Sequence, residues 1–304
     1  MTTTKNSTAH TSGRTLNGIL LLVVSTFVFA VSDAITKQLT QLVPVSQILF
    51  VRFLAFSVMA LVIASASTGI RLALRSAIPY QQIFRVLIMC FEIGLFAYGI
   101  RFLGLAEMHA VMACFPLIVT ALSMPLLGES VGWRRWAAVL CGFIGTLIIL
   151  QPGTQVFDPY ALIPLVCAVI YAVYILLTRR VSRHDRFETS LLYFGLVGLL
   201  ASSTVVVFQW QAVAADTAWL LLAVCIASVT AHLLLIKSLE LAAAVILQPF
   251  NYLILVWAIL LGYLLFGETL SGTDVIGVTI VVGSGVYIGL REYSLAKALW
   301  KSIH

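Results

Sequence analysis

The sequence predicts an all-α membrane protein of ten transmembrane helices, arranged as two inverted five-helix repeats. Three observations predict it. Of 304 residues, 61% are apolar and only 10% charged, against about 25% charged in a soluble domain, so lipid must solvate most of the surface. The apolar residues fall into ten runs of roughly 20, the length that crosses a bilayer core as a helix. Two motifs then recur at matching places in the two halves of the chain.

Residues 1–15, MTTTKNSTAHTSGRT, are polar and rich in Ser and Thr, and read as a mobile tail. The first span, 16–36, is too long for a signal-peptide core and lacks a small-x-small cleavage site, so it reads as a retained helix. Pro44 precedes the second span, 46–66, and Pro79 the third, 82–101. The fourth, 106–127, stops at Gly128-Glu129, and the fifth, 133–150, at Gln151-Pro152-Gly153. The sixth, 159–178, runs into the basic stretch Arg179 to Arg186. Spans 189–208, 217–237 and 243–266 follow, the last ending at Gly267-Glu268, and a glycine-rich tenth span covers 272–290. In the tail 291–304, Leu295, Leu299 and Ile303 share one helical face. It reads either as a short amphipathic helix on the headgroups or as a frayed polar end.

Charge gives these spans a direction. With the amino terminus in the cytoplasm, fourteen of the 18 lysines and arginines fall on the cytoplasmic side. Lys37 and Arg101 fall on the far side, and Arg52 and Arg85 lie within or at the edge of spans. A bias of this size places both termini in the cytoplasm and requires an even number of spans. The net charge of +6 is dispersed over short loops, which excludes a phosphate-tracking groove and a nucleic-acid partner. The five cysteines lie in apolar segments without CxxC spacing and read as small packing residues; the sequence points to no metal.

The halves 16–150 and 159–290 resemble each other. FAVSDAITKQL (29–39) aligns with YAVYILLTRRV (171–181), and PLLGES (125–130) with YLLFGET (263–269). Each Gly-Glu pair ends a long span and precedes a glycine-rich one. Five spans per half is odd, so the second half enters the membrane in the opposite sense. That arrangement lets two similar bundles rock about a shared central site.

These residues carry a resemblance to a known family. Arg52-Phe53, Phe115-Pro116 and Leu127-Gly128-Glu129 stand in the first half. Gln248-Pro249-Phe250-Asn251-Tyr252, Leu255-Val256-Trp257-Ala258, and Gly262-Tyr263 leading to Gly267-Glu268 stand in the second. Across nearly its full length the chain resembles a ten-helix, EamA-type member of the drug/metabolite transporter superfamily. The resemblance implies a secondary transporter of a small metabolite, without cofactor, in the plasma membrane (the inner membrane of a bacterium). The second-half run is similar to the branch containing riboflavin and S-adenosylmethionine importers. Riboflavin uptake is the substrate expectation, with S-adenosylmethionine or an amino acid as alternatives.

Ionisable groups inside spans are costly and mark function by default. Arg52 lies about two turns into span two, on a face shared with Phe56 and Met59; it either binds a ligand carbonyl or anion through its fork of donors or forms a structural ion pair. Glu92, near the middle of span three, lies on the stripe of Arg85, Met89, Phe96 and Gly99. It either exchanges a proton during transport or pairs with Arg52. Asp33 is a second proton-coupling candidate, although pairing with Lys37 one turn away is the simpler account. His232, aligned with Cys225 and Ser228, and His109 read as interhelical hydrogen-bonding groups, with His232 also a binding candidate.

Span nine offers Gln248, Asn251, Tyr252 and Leu255 on one face beside Pro249, a stripe suited to a planar, uncharged, hydrogen-bonding solute or to packing against a neighbour. Trp257 is turned away from Gln248 and reads as packing. Glu129 and Glu268 read as helix-end groups.

An intramembrane enzyme is disfavoured: HExxH and clustered metal-binding aspartates are absent from the sequence, and Ser284 has no evident base. No catalytic residue is assigned. The sequence contains no filter-like segment of a channel and no nucleotide-binding loop. The glycines of span ten serve packing within one bundle or in a dimer equally well, so oligomeric state is left open.

Overall fold

A computed structural model describes the backbone of residues 3–127, 133–150, 159–242 and 250–303, together with Leu247. Among these residues the regular elements are all helical. In the first half they are α1 (Thr3–Leu39), α2 (Val45–Ala66), the short α3 (Ile70–Ala73), α4 (Pro79–Gly99), α5 (Leu105–Met112), α6 (Phe115–Leu127) and α7 (Trp133–Leu150). In the second half they are α8 (Leu162–Val181), α9 (Phe187–Val206), α10 (Ala215–Leu241), α11 (Leu253–Phe266) and α12 (Gly272–Ile303).

Among the described residues six helices meet the length and hydropathy needed to cross a membrane, and four shorter apolar ones lie at 105–119, 136–149, 253–266 and 272–287. These ten apolar segments fall where ten spans are expected. The helical ladder extends further at both chain ends than the polar composition implies. α1 starts at Thr3, since no proline interrupts residues 3–39, and α12 continues through the tail to Ile303.

Span four is broken. Turns at Ala113 and Cys114 separate α5 from α6, next to Pro116, which brings no N–H to the ladder. The matching span of the second half has its turn at Tyr252, just before α11. Each half therefore carries a discontinuous fourth helix, a feature tolerated at membrane depth where the backbone lies within protein.

Outward faces are apolar. Leu54, Val58 and Val62 line α2 at helical spacing, and Phe84, Leu87 and Phe91 line α4, all substantially exposed. In water each such side chain would forgo roughly 1.5–3 kcal/mol of burial; hydrocarbon removes that cost. Trp133, Tyr80, Trp210 and Trp219 are exposed near helix ends, where aromatic rings sit at membrane interfaces.

The packing has an exchange symmetry. α1 packs on α10 and α4 on α8, which is the same pairing once the halves are exchanged. α1 on α11 matches α6 on α8, and α4 on α9 matches α2 on α10. The pairs α2–α9, α5–α11 and α7–α12 map onto themselves. Nearly every principal contact is thus between halves rather than within one.

The halves also run in opposite senses. Lys37, at the end of α1, hydrogen-bonds the Leu103 carbonyl just beyond α4, and Gly99 at the end of α4 meets Ile163 at the start of α8. The first helix of one half therefore finishes where the first helix of the other begins. We refer to this as the Lys37 end; the opposite Asp185 end contains the α2–α4 and α8–α9 connections.

Glycines set the closest approaches. A Cβ on Gly277 of α12 would lie 2.7 Å from the Gly145 carbonyl of α7, and one on Gly145 would lie 2.9 Å from the Gly277 carbonyl. The span-ten glycine at 277 thus packs inside the bundle. On α9, a Cβ at Gly195 would lie 2.8 Å from the Ser57 Cα of α2.

Candidate functional site

Four helices bring charge to the interior between the halves. α2 supplies Arg52, α4 supplies Glu92, α1 supplies Asp33, and α10 supplies His232 and Cys225. Asp33, Glu92 and Cys225 are the electrostatic neighbours of Arg52. No ion pair within 4.0 Å joins Arg52 to either carboxylate, and neither Arg52 nor the Glu92 carboxyl makes a side-chain hydrogen bond among the described residues. The sequence left Glu92 either paired with Arg52 or free to exchange a proton. The geometry keeps the two groups more than 4.0 Å apart while each remains in the electrostatic field of the other.

Charges at bilayer depth cost about 2.5–3.5 kcal/mol each on insertion scales. Arg52 and Glu92, without a direct ion pair among the described residues, therefore argue for a polar setting inside the protein rather than a lipid-facing surface.

Asp33 does not pair with Lys37. Its Oδ2 lies 3.2 Å from His109 Nε2 on α5, while the longer Lys37 side chain reaches Glu268 and the Leu103 carbonyl. A short carboxylate reaches the helix packed against it, whereas a flexible four-carbon stem spans to the bundle end.

Aromatic rings flank the charges. His232 meets Phe29 with ring centroids 4.9 Å apart and Phe56 at 4.7 Å, both edge-on, and Phe194 closes the same wall 5.5 Å from Phe56. The His232 Nδ1 lies 2.9 Å from the Ser228 carbonyl. A carbonyl only accepts, so the proton is on Nδ1 and Nε2 is left as an acceptor in the neutral ring. Its hydrogen bond is therefore within α10 rather than between helices. On the other side, Tyr171 of α8 is an electrostatic neighbour of Glu92 and packs edge-on against Phe115 at 4.9 Å.

At Tyr252 of span nine the structure shows the packing alternative of its sequence reading. A Cβ on Gly285 of α12 would fall 1.5 Å from the Tyr252 hydroxyl oxygen. Tyr252 is thus buried against α12, not grouped with Arg52 and Glu92, because the turn preceding α11 directs it to the neighbouring helix. Asn251 is half-buried beside it, and Gln248 lies outside the described residues. Trp257 packs edge-on against Phe27 at 5.4 Å, as its position nine residues from Gln248 implies. Two grooves, of about 380 and 530 Å³, open beside α12 and are mostly apolar. They follow seams between helices on the outer surface and contain none of the central charges.

Sequence reasoning missed the contribution of Phe29, Phe194, Tyr171 and the Asp33–His109 pair. The signal for Tyr171 was present, since it opens the aromatic-Ala-Val triplet that matches Phe29 in the other half. The two ring positions equivalent in the repeat have different neighbours, Phe29 meeting His232 and Tyr171 meeting Phe115.

Near the Asp185 end, Arg85 is buried, donating to Thr178 Oγ1 at 3.2 Å, Gln82 Oε1 at 2.9 Å and the Ser190 carbonyl at 3.1 Å. It therefore ties α4 to α8 and α9, apart from Glu92 despite their shared stripe. Among the described residues no three His, Cys, Asp or Glu side chains form a metal-holding group.

Apolar helices related by exchange of two halves, closing on charged and aromatic groups at mid-depth, define a membrane carrier. The chain belongs to the EamA-like transporter family, which matches it twice, over residues 16–151 and 159–290. It is 28% identical to a riboflavin transporter of Vibrio cholerae, over 90% of this chain and 93% of that one. It is 24% identical to an S-adenosylmethionine uptake transporter of Rickettsia prowazekii, over 91% of this chain and 94% of that one. A crystal structure sharing 20% identity superimposes with a TM-score of 0.63, covering 93% of this chain and 99% of the other, which shows the common fold. The protein is a multi-pass membrane transporter of a metabolite.

Proposed function

We propose that the chain takes up riboflavin across the bacterial inner membrane by alternating access, with the Asp185 end and both termini in the cytoplasm. The observation that carries the reading is the unpaired Arg52 guanidinium facing Glu92 and Asp33 beside the wall of Phe29, Phe56, Phe194 and His232. A fork of donors suits the paired carbonyls of a flavin ring, the carboxylates suit its ring N–H and ribityl hydroxyls, and the rings suit its flat faces. The exchange-related halves supply two bundles able to rock about this centre. The riboflavin transporter among its relatives supports the substrate, and the basic loops support the orientation.

A second reading has one observation in its favour. Two carboxylates near one guanidinium suit S-adenosylmethionine, whose sulfonium and ammonium would meet Asp33 and Glu92 while its carboxylate met Arg52. Ligand-induced thermal stabilisation of purified protein separates the readings. Riboflavin is expected to stabilise most among riboflavin, S-adenosylmethionine, aromatic and small polar amino acids, and Arg52→Gln to weaken that response by roughly 10- to 100-fold in Kd, the loss expected for hydrogen bonds from a charged donor. A response to S-adenosylmethionine or to an amino acid alone sinks the riboflavin assignment. In liposomes the protein should accumulate or exchange labelled solute unchanged; conversion to a new product without flux would restore the enzyme alternative.

A further inference from the structure

At the Lys37 end, Glu268 holds the two halves together. It follows Gly267, whose φ of 68° is the left-handed helix stop that glycine adopts without strain. That stop turns the carboxylate back over α11. There it occupies a slot formed by two glycines: a Cβ on Gly262 would lie 2.5 Å from Glu268 Oε2, and one on Gly104 would lie 3.3 Å from it. Within the slot, Oε2 accepts the Leu105 N–H at 2.7 Å, the first backbone donor of α5, where a helix N-terminus favours negative charge. Oε1 is ion-paired with Lys37, which also donates to the Leu103 carbonyl at 2.7 Å and lies 5.2 Å from the Phe266 ring centroid. One carboxylate of the second half thereby grips α1 and the α4–α5 connection of the first half.

We propose that Glu268 and Lys37 form the latch of the Lys37-end mouth, the contact that must break before that end of the carrier opens. The inference rests on the alternating-access reading. If the halves separate at this end, α11 leaves α1 and α5, and these bonds lie across that parting line. Glu268 and Lys37 are both only partly buried, at 16% and 15% side-chain exposure, so water can take over their hydrogen bonds on release. A fully buried pair would instead be left unsatisfied and resist opening.

A native thiol reports the mouth without any substrate. Cys225 is an electrostatic neighbour of Arg52, with its Sγ 3.3 Å from the Val51 carbonyl. With Cys90, Cys114, Cys141 and Cys167 replaced by alanine, a membrane-impermeant methanethiosulfonate reagent is applied to oriented proteoliposomes from the Lys37 side. Glu268→Gln and Lys37→Met are each expected to speed Cys225 modification roughly tenfold, the shift one charge-assisted contact sustains. Asp185→Asn, which loosens the opposite end, should not raise that rate. An oxidised Lys37→Cys/Glu268→Cys cross-link should slow modification below the unmutated rate and halt solute exchange, with dithiothreitol reversing both effects. Equal rates in the charge variants, or exchange that continues through the cross-link, would overturn the latch. The labelling arm reads neither solute nor flux, so a wrong riboflavin assignment would leave its result intact.

Discussion

Glu92 is the residue whose surroundings constrain mechanism most. It is buried on α4, has no direct cationic partner among the described residues, and shares its electrostatic surroundings with Arg52 and Asp33. A carboxyl held this way is able to alternate between protonated and ionised forms as the cavity changes access. Glu92→Gln is therefore expected to abolish any dependence of uptake on a pH gradient while solute exchange at equal pH persists. Gradient-driven uptake unchanged in this variant would remove Glu92 as the proton carrier and shift attention to the Asp33–His109 pair. Asp185 makes a separate prediction, outside the membrane. Partial burial opposes its ionisation, but hydrogen bonds from Ser76 Oγ at 2.5 Å, Gln82 Nε2 at 2.8 Å and the Ala77 N–H at 2.7 Å outweigh it. Together they hold the carboxyl below its ordinary value of 3.8. A lowered folded-state value stabilises the protein above the unfolded pKa, and that contribution disappears as pH falls through the folded one. Thermal stability of the unmutated chain should thus exceed that of Asp185→Asn near neutrality, and the difference should shrink as pH drops below about 4. A difference independent of pH would show that the bonds do not depend on ionisation.

At the scale of helices, α7 and α12 approach through facing glycines, and the prediction lies in their spacing. A methyl at Gly277 meets backbone rather than a movable side chain, so Gly277→Ala must push the helices apart, at a cost of about 1–3 kcal/mol for an overpacked contact. Gly272, at the start of the same helix, would place its methyl with no atom within 4 Å. Melting in detergent should therefore fall for Gly277→Ala and stay near the parent value for Gly272→Ala; equal melting would deny the close crossing. Most helices were legible in the sequence because length, hydropathy and proline placement act locally. The interruption between α5 and α6 was not. Pro116 stands in an unbroken apolar run, and only the turns at Ala113 and Cys114 show that the span is made of two pieces. The helical amino-terminal tail was not legible for a related reason: polar composition argues against a buried helix, but it does not stop a ladder already propagating through α1, whereas a helix over 291–304 was one of the two readings of that tail.

For the molecule as a whole, the apolar spans, the doubled motif and the count of five spans per half all follow from the one-dimensional pattern. Lipid exposure is an average over many side chains, and an odd number of spans inverts the second half wherever its helices pack. The tertiary structure decided which groups meet. It gave Asp33 to His109, 76 positions away, and Lys37 to Glu268, 231 positions away, although Asp33 and Lys37 stand one turn apart on the same helix. It also drew Tyr252 to Gly285 and gave Phe29 and Tyr171, equivalent in the repeat, different partners in His232 and Phe115. Local periodicity fixes which face of a helix a residue occupies, and composition fixes the solvent around the bundle. The partner across that face is set by how distant helices cross, a property carried by the packing of the two halves and by no single stretch of the chain.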